Sequence, residues 1–597
     1  MGSEHNESVL AGSGRVSDPP AGGAQAEGAG PARPAGGGRA IPPLLPVLLP
    51  LVVAAVVTGI LFAWWFPPAP AGGEAPVARF TDVTTVAGLG GMTARSGGES
   101  APTTLGGGVV VFDYNNDGKP DLLFVRGMPW PGQESRAKRA GRGSLVLYHN
   151  DGAGHFTDVT ATSGLSIELQ GMTAVAGDFD GDGWPDLFVT CVGLNHLFRN
   201  RGDGRFEEVT ERAGVGGEEN TWSTGATWID IDGDGRLDLV VCHYARWPRG
   251  VDFRTAAAGA ASARAEDGVA GFAGAFPAVF RNLGGGRFAR VADGAGLREV
   301  DRQSGLPVAN ALAVVPVDAN GDGRLDLLFT YAGSGATLFL NQDNGTFRRW
   351  SGAADRRQEG ASAGLYSASL SPAEDPAGRF AALRAVIGAD GGAGRGEFCD
   401  LVTKLGVALL DYDLDGRVDI FAGNGRAEPG LGRVDRARNF ASEPALRWNR
   451  GDRWIEAPRA STGSGGWWAR PIVARGVAVA DFDGDGDPDV IIAEADGPPR
   501  LLRNDERLGL PWLQVALVPK RGGRGADGAR VEVRTPRRVF AQTMAPALGL
   551  FAQSDSTLTF GLGEDARVRE IVVRWPDGTR QVVKPAGVNR RMVIAEP

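Results

Sequence analysis

Six nine-residue segments of the 597-residue chain follow one plan, D-x-[DN]-x-D-G-x-x-D. Their side-chain oxygens are Asp113, Asn115, Asp117 and Asp121 in loop one, and Asp178, Asp180, Asp182 and Asp186 in loop two. Loop three supplies Asp230, Asp232, Asp234 and Asp238, and loop four Asp318, Asn320, Asp322 and Asp326. Asp411, Asp413, Asp415 and Asp419 form loop five, and Asp481, Asp483, Asp485 and Asp489 loop six. Oxygens at positions 1, 3, 5 and 9 of a tightly curled loop suit a hard cation, because calcium takes six to eight oxygen ligands. The residue at position 7 (Lys119, Trp184, Arg236, Arg324, Arg417, Asp487) would add its backbone carbonyl, and the glycine at position 6 allows the sharp turn. The spacing therefore predicts six Ca²⁺ sites.

An EF-hand starts in the same way but ends on a bidentate Glu at position 12. Here that position holds Phe124, Val189, Val241, Phe329, Ala422 and Ile492, inside short apolar runs such as Leu122-Leu-Phe-Val125. Such runs read as buried strands, so each loop is expected to join two strands. The bland alternative is six metal-free Asp/Gly turns; six copies in register argue against it.

A second motif alternates with the loops: an aliphatic strand ending in Asn, a glycine turn, then Phe-x-x-Val. Examples are Leu197-Phe-Arg-Asn-Arg-Gly-Asp-Gly-Arg-Phe206 and Phe280-Arg-Asn-Leu-Gly-Gly-Gly-Arg-Phe288. Each reads as a hairpin. A unit then has four strands and recurs every 52 to 93 residues, which predicts a β-propeller. The last unit stops at Leu501-Leu-Arg-Asn504, and an orphan Phe80-Thr-Asp-Val83 precedes the first, so the N-terminal strand is expected to complete the last blade. The count is six calcium-loop blades, with inserts at about 251–275 and 351–400; the second has room for a seventh, metal-free blade or a short helix at 379–387. Residues 511–597 carry short alternating strands and a Pro576-Asp-Gly578 turn, as in a small β-sandwich.

Ahead of the propeller (78–510) the chain divides into a Gly/Ala/Pro-rich leader, 1–40, expected to be disordered and cytoplasmic, an uncharged apolar stretch, 41–66, and a linker, 67–77. The apolar stretch reads as one transmembrane helix, with Trp64 and Trp65 at the interface. Arg33 and Arg39 precede it and no Lys or Arg follows before Arg79, which places the bulk of the chain outside the cytoplasm, at the cell surface or in the periplasm. A cleaved signal ending at Ala69-Pro-Ala71 is the rival reading, giving a secreted protein. The formal charge of −9 is local to the loops, whose ligand positions hold twenty-two carboxylates; six divalent ions would more than offset it. Cys191, Cys242 and Cys399 are too few for a disulfide framework, and buried thiols are the simpler reading.

The repeats resemble FG-GAP/VCBS repeats of the integrin α-subunit propeller over roughly residues 78–505. Trp512-Leu-Gln-Val-Ala-Leu517, Phe560-Gly-Leu-Gly563 and Val573-Arg-Trp-Pro-Asp-Gly-Thr579 resemble the ASPIC/UnbV domain. A propeller followed by that domain is similar to cartilage acidic protein and its bacterial relatives. The family's Asn-Arg-Asp-Gly-Ile-Gly-Ala turn is here Arg524-Gly-Ala-Asp-Gly-Ala529. The resemblance implies a secreted or surface-exposed calcium-binding protein and supplies no catalytic activity.

Chemistry other than cation binding finds little footing. Paired catalytic carboxylates need one raised pKa, whereas a bound cation lowers its neighbours'. His5, His149, His155, His196 and His243 lack zinc spacing, and no G-x-S-x-G elbow, P-loop or C-x-x-C occurs. Arg201-Gly-Asp203 and Arg450-Gly-Asp452 fall in hairpin turns that account for them. Trp222, Trp228, Trp247, Trp467 and Trp468 read as core, with sugar stacking the alternative. The expected function is non-catalytic binding, adhesion or scaffolding with a protein or glycan ligand and the membrane helix; nucleic acid is not among the partners. The alternative is a polysaccharide-acting enzyme or carbohydrate-binding protein using a propeller face.

Overall fold

Aliphatic runs flank every Asp loop, and each pair folds back on itself as an antiparallel ladder that continues into the hairpin. In the computed structural model the first such sheet is Val109–Phe112, Asp121–Val125, Leu145–Asn150 and Phe156–Asp158. The second is Gly171–Gly177, Asp186–Cys191, His196–Asn200 and Phe206–Glu208; the third is Thr221–Ile229, Asp238–Arg246, Ala278–Gly284 and Arg287–Arg290. Ala311–Val317, Asp326–Tyr331, Gly335–Asn341 and Phe347–Arg349 make the fourth, and Val407–Leu410, Asp419–Ala422, Ala445–Asn449 and Trp454–Glu456 the fifth. The sixth takes Ala474–Ala480, Asp489–Glu494 and Arg500–Asn504 from the C-terminal side, and its outer strand is Phe80–Asp82, with Phe80 opposite Asn504 and Asp82 opposite Leu502. The orphan N-terminal strand thus completes the last blade, as expected.

The structure describes residues 74–92, 107–126, 144–246, 273–300, 305–350 (except 309, 321, 332–334 and 343), 406–424, 441–458 (except 452), 466–505 (except 496), 508–520, 526–545 and 551–597. The leader, the 41–66 stretch, the Ala69-Pro-Ala71 motif, most of the linker, both inserts with the seventh-blade and short-helix readings, and Cys399 lie outside them.

The second strand of each blade is buried on both faces, which is why it reads as a continuous apolar run, whereas the outer strands are half exposed. The first strands of the blades pack in the order five, six, one, two, three, four. Each of those five junctions has its own core. Phe421 and Trp468 lie between blades five and six, and Tyr148 and Phe482 between six and one. Leu147 and Phe198 fill the next, Phe188 and Trp228 that between two and three, and Phe329 and Phe339 that between three and four. Blades four and five instead keep separate clusters, around Leu328 and Leu338 on one and Val407 and Ile420 on the other, and no core joins them among the described residues. Trp222, Trp228 and Trp468 are buried, as core aromatics should be. Cys191 and Cys242 are buried free thiols.

From Trp512 the chain forms two further sheets. One is Leu558–Gly561, Trp512–Val518 and Arg590–Ala595; the other is Val539–Thr543, Arg530–Arg534, Glu570–Arg574 and Arg580–Val583. They share one core around Val531, Phe560 and Val573. A short strand from this region, Ala552–Gln553, pairs in parallel with Val109–Phe112, and Gln553 Oε1 accepts from Ala176 N at 2.8 Å.

The membrane assignment is corrected. No helix among the described residues is long and apolar enough to cross a membrane. The single-pass topology, the extracytoplasmic placement and the membrane partner drawn from it are withdrawn.

Candidate metal centres

Every loop is organised by its own carboxylates. The position-1 Asp turns inward and accepts backbone N–H groups across the turn: Asp113 from Asp117 N (3.0 Å), Asp178 from Gly183 N (2.8 Å), Asp230 from Gly235 N (2.9 Å) and Asp411 from Gly416 N (2.9 Å). Asp318 and Asp481 likewise accept from Gly323 N (3.2 Å) and Gly486 N (2.9 Å). The position-5 Asp accepts from the position-7 amide, as Asp415 does from Arg417 N at 2.8 Å. The position-6 glycines hold φ between +83° and +103°, where a side chain would be strained.

Position 9 does more than the ligand pattern suggests. Asp121, Asp186, Asp238, Asp326, Asp419 and Asp489 are at most 2% exposed. Each carboxylate accepts the position-2 amide of its loop and the amide of the hairpin asparagine; Asp186, for example, accepts from Phe179 N (3.1 Å) and Asn200 N (2.7 Å). That asparagine then joins blades. Asn200 Nδ2 donates to Pro185 O of its own loop and to Tyr114 O of loop one. Asn150 reaches Phe482 O, Asn282 Phe179 O, Asn341 Ile231 O and Asn504 Tyr412 O. Asn449 of blade five bonds Val418 O of its own loop.

In four loops, carboxylate oxygens converge to within 4.8 Å of one another: Asp178, Asp180 and Asp186; Asp230, Asp232 and Asp234; Asp411, Asp413 and Asp419; Asp481, Asp483 and Asp489. Loops one and four, with amides Asn115 and Asn320 at position 3, bring no such acidic triad together among the described residues. Asp180 Oδ1, Asp232 Oδ1 and Asp411 Oδ1 are buried without a hydrogen-bond donor. Buried acceptors left open where several carboxylates meet fit an oxygen-seeking cation.

The electrostatics agree. Burial, the largest cause, and then neighbouring carboxylates push Asp121 up to about 8, while backbone N–H groups pull it down. Burial likewise lifts Asp178 and Asp481 to about 6, Asp238, Asp326 and Asp415 to about 7, and Asp487 to about 10. Asp186, Asp411, Asp419 and Asp489 go well above the usual carboxylate range for the same reason. A divalent ion at the loop centre would reverse this, because it stabilises the ionised form.

Basic residues offset part of the charge. Lys119 pairs with Asp117, Arg236 with Asp234, Arg324 with Asp322 and Arg417 with Asp415, so these position-7 side chains fold back onto position 5. In four loops the residue just before the clamping asparagine also faces the loop: His149 Nδ1 lies 3.2 Å from Asp121, Arg199 pairs with Asp180 and Asp182, Arg281 with Asp232, and Trp448 Nε1 donates to Asp413 at 2.9 Å. Sequence reasoning assigned these side chains no part in the site. The recurring Arg-Asn pair was the available signal.

The C-terminal region touches three loops. Gln514 Nε2 donates to Asp481 Oδ2 at 2.8 Å, Trp512 lies against Gly486, Phe540 lies against Gly416, and Arg591 donates to Gly118 O.

Comparison with known proteins matches residues 139–189, 178–241 and 411–492 to an FG-GAP-like repeat and 520–597 to ASPIC and UnbV. Cartilage acidic protein 1 of Xenopus tropicalis is 25% identical over 569 residues, covering 84% of this chain and 75% of the relative. The Mus musculus protein of that name is 31% identical over 161 residues, 25% of this chain and 23% of its own length. Among solved structures, the Aleuria aurantia lectin, described as a six-bladed β-propeller with a novel fucose recognition mode, matches with a TM-score of 0.30 and 11% identity over 65% of this chain and 87% of the lectin. An Agrocybe aegerita lectin that recognises non-reducing terminal N-acetylglucosamine matches with a TM-score of 0.29 and 16% identity over 66% and 72%. The chain therefore carries FG-GAP-like repeats followed by an ASPIC/UnbV domain, and it is a homologue of cartilage acidic protein 1 over most of its length.

Proposed function

We propose that this protein is a calcium-stabilised, non-catalytic binding or scaffold protein, with one Ca²⁺ in each of the six Asp loops. The observation that carries the reading is the convergence of carboxylates in four loops, with buried open acceptor oxygens on Asp180, Asp232 and Asp411. Positions 1, 3, 5 and 9 would hold the ion with the position-7 carbonyl, and Asn115 and Asn320 would serve at position 3 in loops one and four. The ion supplies positive charge that lets these carboxylates stay ionised while buried; the turns and the clamping asparagines transmit that rigidity to the blades.

At about 100 µM affinity and about 1 mM free calcium, mass action contributes about 1.4 kcal/mol per site. Six sites give roughly 8 kcal/mol, comparable to a domain's whole stability. Calorimetry of the purified protein in 1 mM calcium and in EDTA tests this: the melting temperature should fall by many degrees in EDTA, and an unchanged melt would rule the reading out. The ligand is a protein or a glycan, and a crosslinking pull-down in calcium and then in chelator separates these. Turnover on any member of a glycan panel would overturn the non-catalytic assignment.

A further inference from the structure

Loop six departs from the other five at position 7. Loops one, three, four and five place Lys119, Arg236, Arg324 and Arg417 there, each paired with its own position-5 carboxylate. In loop two, where the position is Trp184, Arg199 supplies the positive charge to Asp180 and Asp182. Loop six has Asp487 instead, a fifth carboxylate at position 7, while Arg503, the counterpart of Arg199, pairs with Asp505 and bears on Asp483 and Asp489. No Lys, Arg or His among the described residues forms an ion pair with Asp485 or Asp487.

Asp487 is also placed unlike a surface acid. It is 7% exposed, and its Oδ1 has no hydrogen-bond donor. Asp487 and Asp485 open together onto a cleft of about 310 Å³, whose other walls include Asp413 of loop five, Leu510, Trp512 and Asn589. The carboxylates that converge in loop six are a different set, Asp481, Asp483 and Asp489.

We propose that this cleft holds a second divalent cation, ligated by Asp487 and Asp485, beside the ion enclosed by Asp481, Asp483 and Asp489. The inference rests on the calcium reading of the loops. Asp487 is withdrawn from water beside the exposed Asp485, its ionised form needs a compensating charge, and here no side chain provides it. A hard cation takes oxygen donors and keeps some waters, for which the cleft has room. Asp485, at position 5 of the loop, would be shared between the two sites. The second ion would lie where loops five and six meet the strand that starts at Trp512, so it would help fasten the ASPIC/UnbV region to the propeller.

The test counts calcium per full-length chain by elemental analysis after dialysis against 1 mM Ca²⁺. Wild type is compared with Asp487→Asn, Asp481→Asn and the double variant. Asp487→Arg is added because it copies the Arg417–Asp415 arrangement of loop five and so supplies the missing charge covalently. The expected result is a loss of about one equivalent in Asp487→Asn and in Asp487→Arg, and of about two in the double variant. A double variant that loses only one, or position-487 variants that keep the wild-type count, overturns the second ion while leaving the loop-six site standing. A wild type without bound calcium would instead sink the parent reading.

Discussion

Replacing Gly486 by Ala tests whether the C-terminal region is seated on loop six. A Cβ added there would lie 1.8, 2.2 and 2.3 Å from Trp512 Cε2, Cζ2 and Nε1, where ordinary contacts begin near 3.4 Å. The strand cannot draw back freely: Trp512 N donates to Asn589 Oδ1 at 3.0 Å, and the strand is paired on both sides, with Gly561 opposite Trp512 and Arg590 beside Leu513. Two costs add. Gly486 holds φ +103°, and a side chain in the positive-φ region costs about 1–2 kcal/mol. Forcing a ring aside in a packed interface costs about 1–3 kcal/mol more. Gly323 is the matched control, at the same loop position with φ +85° but nothing within 4 Å of its Cβ, so Gly323→Ala should carry the first cost alone. Calorimetric unfolding in 1 mM calcium should then show Gly486→Ala destabilised by about 2–5 kcal/mol and Gly323→Ala by about 1–2 kcal/mol. Equal losses in the two variants would refute the seating of Trp512 on the loop.

The asparagine clamps give a second contrast. Asn200→Ala removes bonds to two loop carbonyls and one glycine amide, and urea unfolding should show a loss of about 3 kcal/mol. Asn449→Ala, which lacks the bond to a neighbouring blade, should lose about 1 kcal/mol less. In EDTA, stability should fall as pH rises from 5 to 8. Asp238 and Asp326, raised from 3.8 to about 7, keep in the folded state a proton that the unfolded chain has already released, so their contribution is present at acid pH and lost as pH passes the folded value. Melting temperatures across that range would show the fall, and calcium at pH 8 should abolish it. Cys191 and Cys242, buried thiols whose ionisation is pushed up by burial, should resist a thiol reagent in the native protein and react on unfolding; fast native reaction would contradict their placement.

The Asp loops, their strand-to-strand setting and the exchange of Phe80–Asp82 into the last blade were legible in the sequence, because each is a local pattern repeated at an interval. A strand spare at one end and missing at the other needs no knowledge of side-chain contacts. The 41–66 stretch was read from hydropathy alone, and an apolar composition does not by itself establish a spanning helix. Which residues face the loops was legible only in part, through the Arg-Asn pairs at 199–200 and 281–282. His149, Arg199, Arg281 and Trp448 all precede a clamping asparagine, yet their chemistry differs, so only the fold reveals that they share one orientation.

By itself, then, the chain set the kind of ligand each loop could take, which follows from residue type and spacing over nine residues, and the order of its strands, which follows from the recurrence of one four-strand unit. The joining of loop six to Trp512 and Gln514, of Asn150 to Phe482, and of Gln553 to Ala176 was decided by tertiary structure. Those partners lie from tens to several hundreds of residues apart, and burial at the interfaces, not local preference, selects them.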